Sequence, residues 1–128
     1  MTAAVILKDI EIGWLLDQGV SPAAMLLQPE IRAANVVFLD GNTFDFDESG
    51  IRAFVFKELD SDDLVAWRPA SRTLPERLAT WRAVAFALGQ DSIFNPATYF
   101  MDGKLHVHAD PLDWLRAGRE GIVIVKPS

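Results

Sequence analysis

A chain of 128 residues is long enough for one domain to bury roughly two thirds of its unfolded surface without a disulfide or a metal. It has no Cys, which removes disulfides, thiolate nucleophiles and Cys-type zinc sites together and leaves two His and the carboxylates as possible metal ligands. A net charge of −6 argues against broad electrostatic binding to nucleic acid, although residues 1–63 hold 4 Lys or Arg against 12 Asp or Glu while residues 64–128 hold 8 against 6.

The apolar run 3–7 is too short for a membrane span and no basic residues precede it, so a cytoplasmic location is expected. Leu7, Ile10 and Trp14 share one helical face and predict a helix over 3–18, stopped by Gly19. Ser21 and Pro22 then supply the cap and first position of a second helix that runs through Leu27 and ends before Pro29. Two helices joined by a tight turn can read DNA. Residues 22–28, however, carry no Arg or Lys for phosphates or base edges, which points instead to an apolar helix packed on a core or a partner.

From 31 to 67 the pattern turns strand-like, with runs at 36–39, 43–47, 52–56 and 64–67 separated by turn formers, and an antiparallel meander is expected. Phe44 and Phe46 alternate with Thr43, Asp45 and Asp47, as in a half-buried strand. The oxygens from Asp40 to Glu48 lack calcium-loop spacing, because Phe44 and Ile51 stand where ligands are needed.

Thr73 and Glu76 have capping-box spacing and predict a long helix over 74–88, ended by Gly89. Leu74, Leu78, Trp81, Ala85 and Leu88 form its stripe, expected to cover the sheet, and Phe86 falls on the opposite side. Arg68, Arg72, Arg77 and Arg82 are the one basic concentration and a candidate anion-binding edge. A loop at 91–97 leads to Asp102-Gly103, a two-residue hairpin signal between 99–101 and 104–108. Asp110, Pro111 and Gly118 mark a short helix, and 122–125 reads as a strand covered on both faces. His106 and His108 would point the same way from a strand, making them candidate metal ligands that need a third from Asp102, Asp110 or Asp113. Neither a nucleophile elbow, a dinucleotide-binding glycine motif nor a phosphate loop is present, so no cofactor is implied.

From 63–67 onward, and most fully over 105–125, the chain resembles small uncharacterised proteobacterial proteins associated with prophages and other mobile elements. That resemblance covers about half of the chain and implies a bacterial accessory protein without assigning an activity or a catalytic residue. The expected fold is α+β: a single domain over 1–128, with a helical part at 1–30, a strand meander at 31–68, and helix, hairpin, short helix and final strand at 69–128. It has a mostly antiparallel sheet of about seven short strands, the long helix packed on it, and two short N-terminal helices. The expected function is a non-enzymatic protein-interaction or accessory domain that forms a homodimer through Met25, Leu26, Leu27 and Phe86, since half of the residues are apolar. The alternatives are a small metal-dependent enzyme using His106 and His108, and a nucleic-acid accessory factor.

Overall fold

The computed structural model describes residues 5–59, 61–89 and 105–125; the hairpin at Asp102-Gly103 and the loop 91–97 lie outside them. Five strands, β1 (Arg32–Leu39), β2 (Thr43–Phe46), β3 (Ile51–Glu58), β4 (Asp63–Arg68) and β5 (Arg77–Thr80), close into a barrel in the order β1-β2-β5-β4-β3. Four of the five seams are antiparallel. The fifth joins β2 to β5 in parallel through the single pairing of Thr43 with Thr80, with Thr80 N donating to Asn42 O at 3.0 Å.

Side chains that alternate inward along these strands make one core: Ala34 and Val36, Phe44, Ala53 and Val55, Ala66, and Ala79, with Phe38, Phe46 and Leu64 at its margins. A five-stranded ring is narrower than the eight-stranded barrels whose interiors side chains just fill, so small residues must line it. Register puts Ala34 opposite Ala53, Val55 opposite Ala66, and Ala66 opposite Ala79.

The outer wall of β3, β4 and β5 carries the second core. Phe54, Phe56, Val65, Trp67 and Leu78 meet Leu15, Val20 and Met25 from the N-terminal segment and Leu88, Trp114, Leu115 and Val123 from the C-terminal one. Both faces of β3 and β4 are therefore buried, which is why their apolar runs are nearly continuous. Aromatic rings join the layers: Trp14 stacks on Phe54 at 6.0 Å, and Phe56 meets Trp114 edge-on at 5.7 Å. Fully burying each such ring contributes about 1.5–3 kcal/mol.

On this wall lie α1 (Asp9–Asp17), α2 (Pro22–Leu26), and a three-stranded sheet of β6 (Ala87–Leu88), β8 (Ile122–Ile124) and β7 (Val107–His108) in that order, with α3 (Pro111–Arg116) between β7 and β8. Asp110 caps α3 by accepting from Asp113 N at 2.9 Å, and Gly118 closes it at φ +72°. β8 is less covered than its apolar run suggests, because Ile124 is exposed.

The architecture corrects the expected α+β fold. Strands dominate the described residues, only α1 exceeds six residues, and no long helix packs on a sheet. Residues 74–88 instead form a turn, β5, a loop and β6. Two distant carboxylates decide this. Glu76 accepts from the Trp67 indole at 3.0 Å, so it is not a cap; the buried Asp63 accepts from Arg82 N at 2.8 Å, Val84 N at 2.9 Å and Ala85 N at 3.0 Å, holding a loop in which Ala83 adopts φ +59°. A helix would give those amides carbonyl partners and leave the buried Asp63 without its own, at a cost of several kcal/mol.

Candidate functional site

The N-terminal helices present an apolar surface. Their limits follow from local chemistry: Ser21 Oγ accepts from Ala24 N at 3.2 Å, Pro22 opens α2, and Gly19 turns the chain between the helices at φ +91°. The buried side of α1 runs through Leu15, with Ile12 and Trp14 packed beside it, and not through Ile10 as the spacing of Leu7, Ile10 and Trp14 suggested. Ile10 is left 78% exposed. Leu7, Ile12, Pro22, Met25 and Ile31 line an apolar groove of about 210 Å³, with Ile6 and Leu26 also on its wall. Ile6 is 71% and Leu26 67% exposed, whereas Met25 is buried at 7% and belongs to the core.

Cations of the C-terminal segment fix this surface from behind. Arg119 Nη1 donates to Leu27 O at 2.7 Å and Pro29 O at 3.0 Å, and Arg116 Nε donates to Gln18 O at 2.6 Å. Carbonyls at the end of α2 thus gain donors that the short helix cannot supply, and Leu26 and Leu27 are left facing outward. Phe86 is 46% exposed, but it stands on the loop before β6.

The four Arg residues do not form one edge. Arg68 ends β4, Arg77 begins β5, and register sets them directly opposite each other. Their guanidinium carbons lie 5.3 and 4.9 Å from the centre of the same Phe38 ring. Arg72 is exposed on the intervening loop. Arg82 lies beyond the other end of the β4–β5 ladder, with its Nη1 3.8 Å from an Asp62 carboxylate oxygen.

His106 and His108 flank Val107 at β7, yet the described residues contain no group of three His, Cys, Asp or Glu able to hold a metal. His108 Nε2 lies 2.8 Å from Glu120 O, which places the proton on Nε2 because the carbonyl can only accept. Asp110 caps α3 and Asp113 pairs with Arg116 at 3.5 Å, while Asp102 falls outside the described residues.

Sequence reasoning missed a cleft of about 440 Å³ at the Arg82 end of the barrel, lined by Phe46, Leu64 and Trp81 and rimmed by Lys57, Asp62 and Arg82. Phe46 meets Trp81 edge-on at 5.7 Å, and Asp62 lies between the two cations, 3.5 Å from Lys57. The signal was Trp81: it follows β5 directly, with its amide donating to Leu64 O at 2.9 Å, whereas a helical reading assigned it to a stripe. No helix among the described residues is long and apolar enough to cross a membrane. Compared with protein-family models, curated proteins and solved structures, the chain matches none of them.

Proposed function

We propose that the protein is an interaction domain that pairs with a second copy of itself through the surface of α1 and α2. The observation that carries this reading is an apolar groove whose walls stay uncovered: Leu7, Ile12, Met25 and Ile31 line it, and Ile6 and Leu26 on its wall are exposed. A twofold axis at this surface would seat each copy's Ile6 and Leu26 against the other's groove, so a single patch supplies both halves of the contact. Val5, Ile6, Ile10, Leu16, Leu26 and Leu27 are the large apolar side chains this segment exposes. A standard interface of this kind buries about 800 Å² per partner.

Sedimentation equilibrium over a hundredfold concentration range tests the reading. The parent is expected to approach a dimer mass, and Ile6→Asp and Leu26→Asp to remain monomeric with unchanged far-ultraviolet circular dichroism, because both side chains are exposed in the single chain. A parent that stays monomeric throughout, or a dimer indifferent to both substitutions, sinks it.

A further inference from the structure

We propose that Arg68 and Arg77 form a binding site for a phosphate group at the end of the barrel away from Trp81. Two cations directly opposite each other on neighbouring strands repel, and nothing in strand pairing compensates them. Phe38 brings them together: both guanidinium carbons lie over its ring, which limits them to about 10 Å of separation, and a ring face satisfies none of their N–H edges. Few of those edges are used. Arg68 Nη2 donates to Pro75 O at 2.9 Å, while Arg68 Nε is buried without an acceptor. Neither guanidinium forms an ion pair with a carboxylate among the described residues, and the adjacent Glu76 is turned to the Trp67 indole.

The contrast with other cations matters. Arg52, Lys57, Arg82 and Arg116 each have a carboxylate in a chain where Asp and Glu outnumber Lys and Arg by 18 to 12. Two adjacent Arg side chains without one are therefore not explained by a shortage of acids. A phosphate dianion balances both charges and offers acceptors to two planar forks at once, whereas a single carboxylate balances one. Arg72, on the loop that joins β4 to β5, is the nearest further cation in the chain. The site is independent of the α1–α2 surface, so it stands or falls separately from self-association.

Calorimetric titration at constant ionic strength, with inorganic phosphate and with glycerol 3-phosphate against a chloride baseline, tests the proposal. Saturable binding by the parent is expected, weakened about tenfold or more in Arg68→Gln and in Arg77→Gln, and unchanged in Arg82→Gln, whose cation faces Asp62. Arg77→Lys retains the charge without the fork and should bind between the parent and Arg77→Gln, which separates recognition from misfolding. Tighter binding of the ester assigns a phosphate carried on a small molecule, and equal binding assigns the free ion. Absence of saturable binding by the parent, affinity in both Gln variants equal to the parent's, or an equal loss in Arg82→Gln overturns the proposal.

Discussion

The Glu11 carboxylate of α1 and the Arg52 guanidinium of β3 meet through two parallel hydrogen bonds, Nε to Oε2 at 2.5 Å and Nη2 to Oε1 at 3.0 Å, across 41 residues of sequence. The pair ties α1 to the barrel. Partial burial raises the Glu11 pKa, but the bonds from Arg52 and from Lys8 N and the nearby positive charges outweigh it, leaving the carboxyl below its ordinary range. A group whose folded pKa is depressed contributes stability above its unfolded pKa and loses it as pH falls through the folded value. Glu11→Gln should therefore be less stable than the parent by about 1 kcal/mol at pH 7, with the gap narrowing as pH falls below the ordinary value of 4.5. Urea denaturation at pH 7 and pH 3 measures it; a gap that persists at the lower pH would exclude the ion pair as its source.

Asp63 gives the largest expected loss. It is buried and accepts from Leu64 N at 2.8 Å as well as from the three amides of the 82–85 loop. Asp63→Ala should cost more than about 3 kcal/mol, since several donors lose their acceptor at once. Asp63→Asn keeps one acceptor oxygen and should fall between the two. Denaturation midpoints that rank Asn with Ala would show the second oxygen to be essential; midpoints equal to the parent's would refute the role.

Inside the barrel, Ala66 lies in register between Val55 and Ala79 and is fully buried. Ala66→Leu adds three carbons where the ring has no room, and about 1–3 kcal/mol of destabilisation is expected in thermal or urea unfolding. A neutral outcome would mean the interior is wider than its alanines indicate.

Gly50 sits where a Cβ would come within 2.3 Å of Val36 O. The obstacle is backbone of β1, so it cannot swing aside, and Gly50→Ala should cost more than about 1 kcal/mol by forcing the 47–50 turn away from the strand. Unchanged stability of that variant in urea would show that the turn can shift freely.

The positions of β1 to β4 were legible because they owe their form to local chemistry, but their order was not: β3 pairs with β1 and not with β2, so the expected meander gives way to a closed ring. The apolar runs, the Asp40-Gly41-Asn42 turn and the Asp110-Pro111 helix start all lie within a few residues of the groups that determine them. The error over 74–88 was of another kind. Leu74, Leu78, Trp81, Ala85 and Leu88 do recur with helical spacing, but β5 buries Leu78 on the outer wall and Ala79 in the barrel, and Asp63 binds amides 19 to 22 residues away. Chain-local periodicity carries no trace of an acceptor so distant. The placement of the Arg candidates was hidden for the same reason: register, absent from spacing, joined Arg68 to Arg77 and left Arg82 at the other end. Apolar excess did point to Leu26, though it could not tell that Met25 turns inward.

The parallel contact of Thr43 with Thr80 is the narrowest seam in the ring, flanked by ladders of four paired residues each. A ring unzips first where the fewest bonds hold it, and the released product here is a twisted ribbon of β2-β1-β3-β4-β5 whose other pairings stay intact. Amide hydrogen exchange should reveal this order: the Thr80 N–H, bonded to Asn42 O, should exchange through local opening well before the amides shared by β3 and β4. The barrel is then a structure that breathes at one side while its opposite wall stays shut.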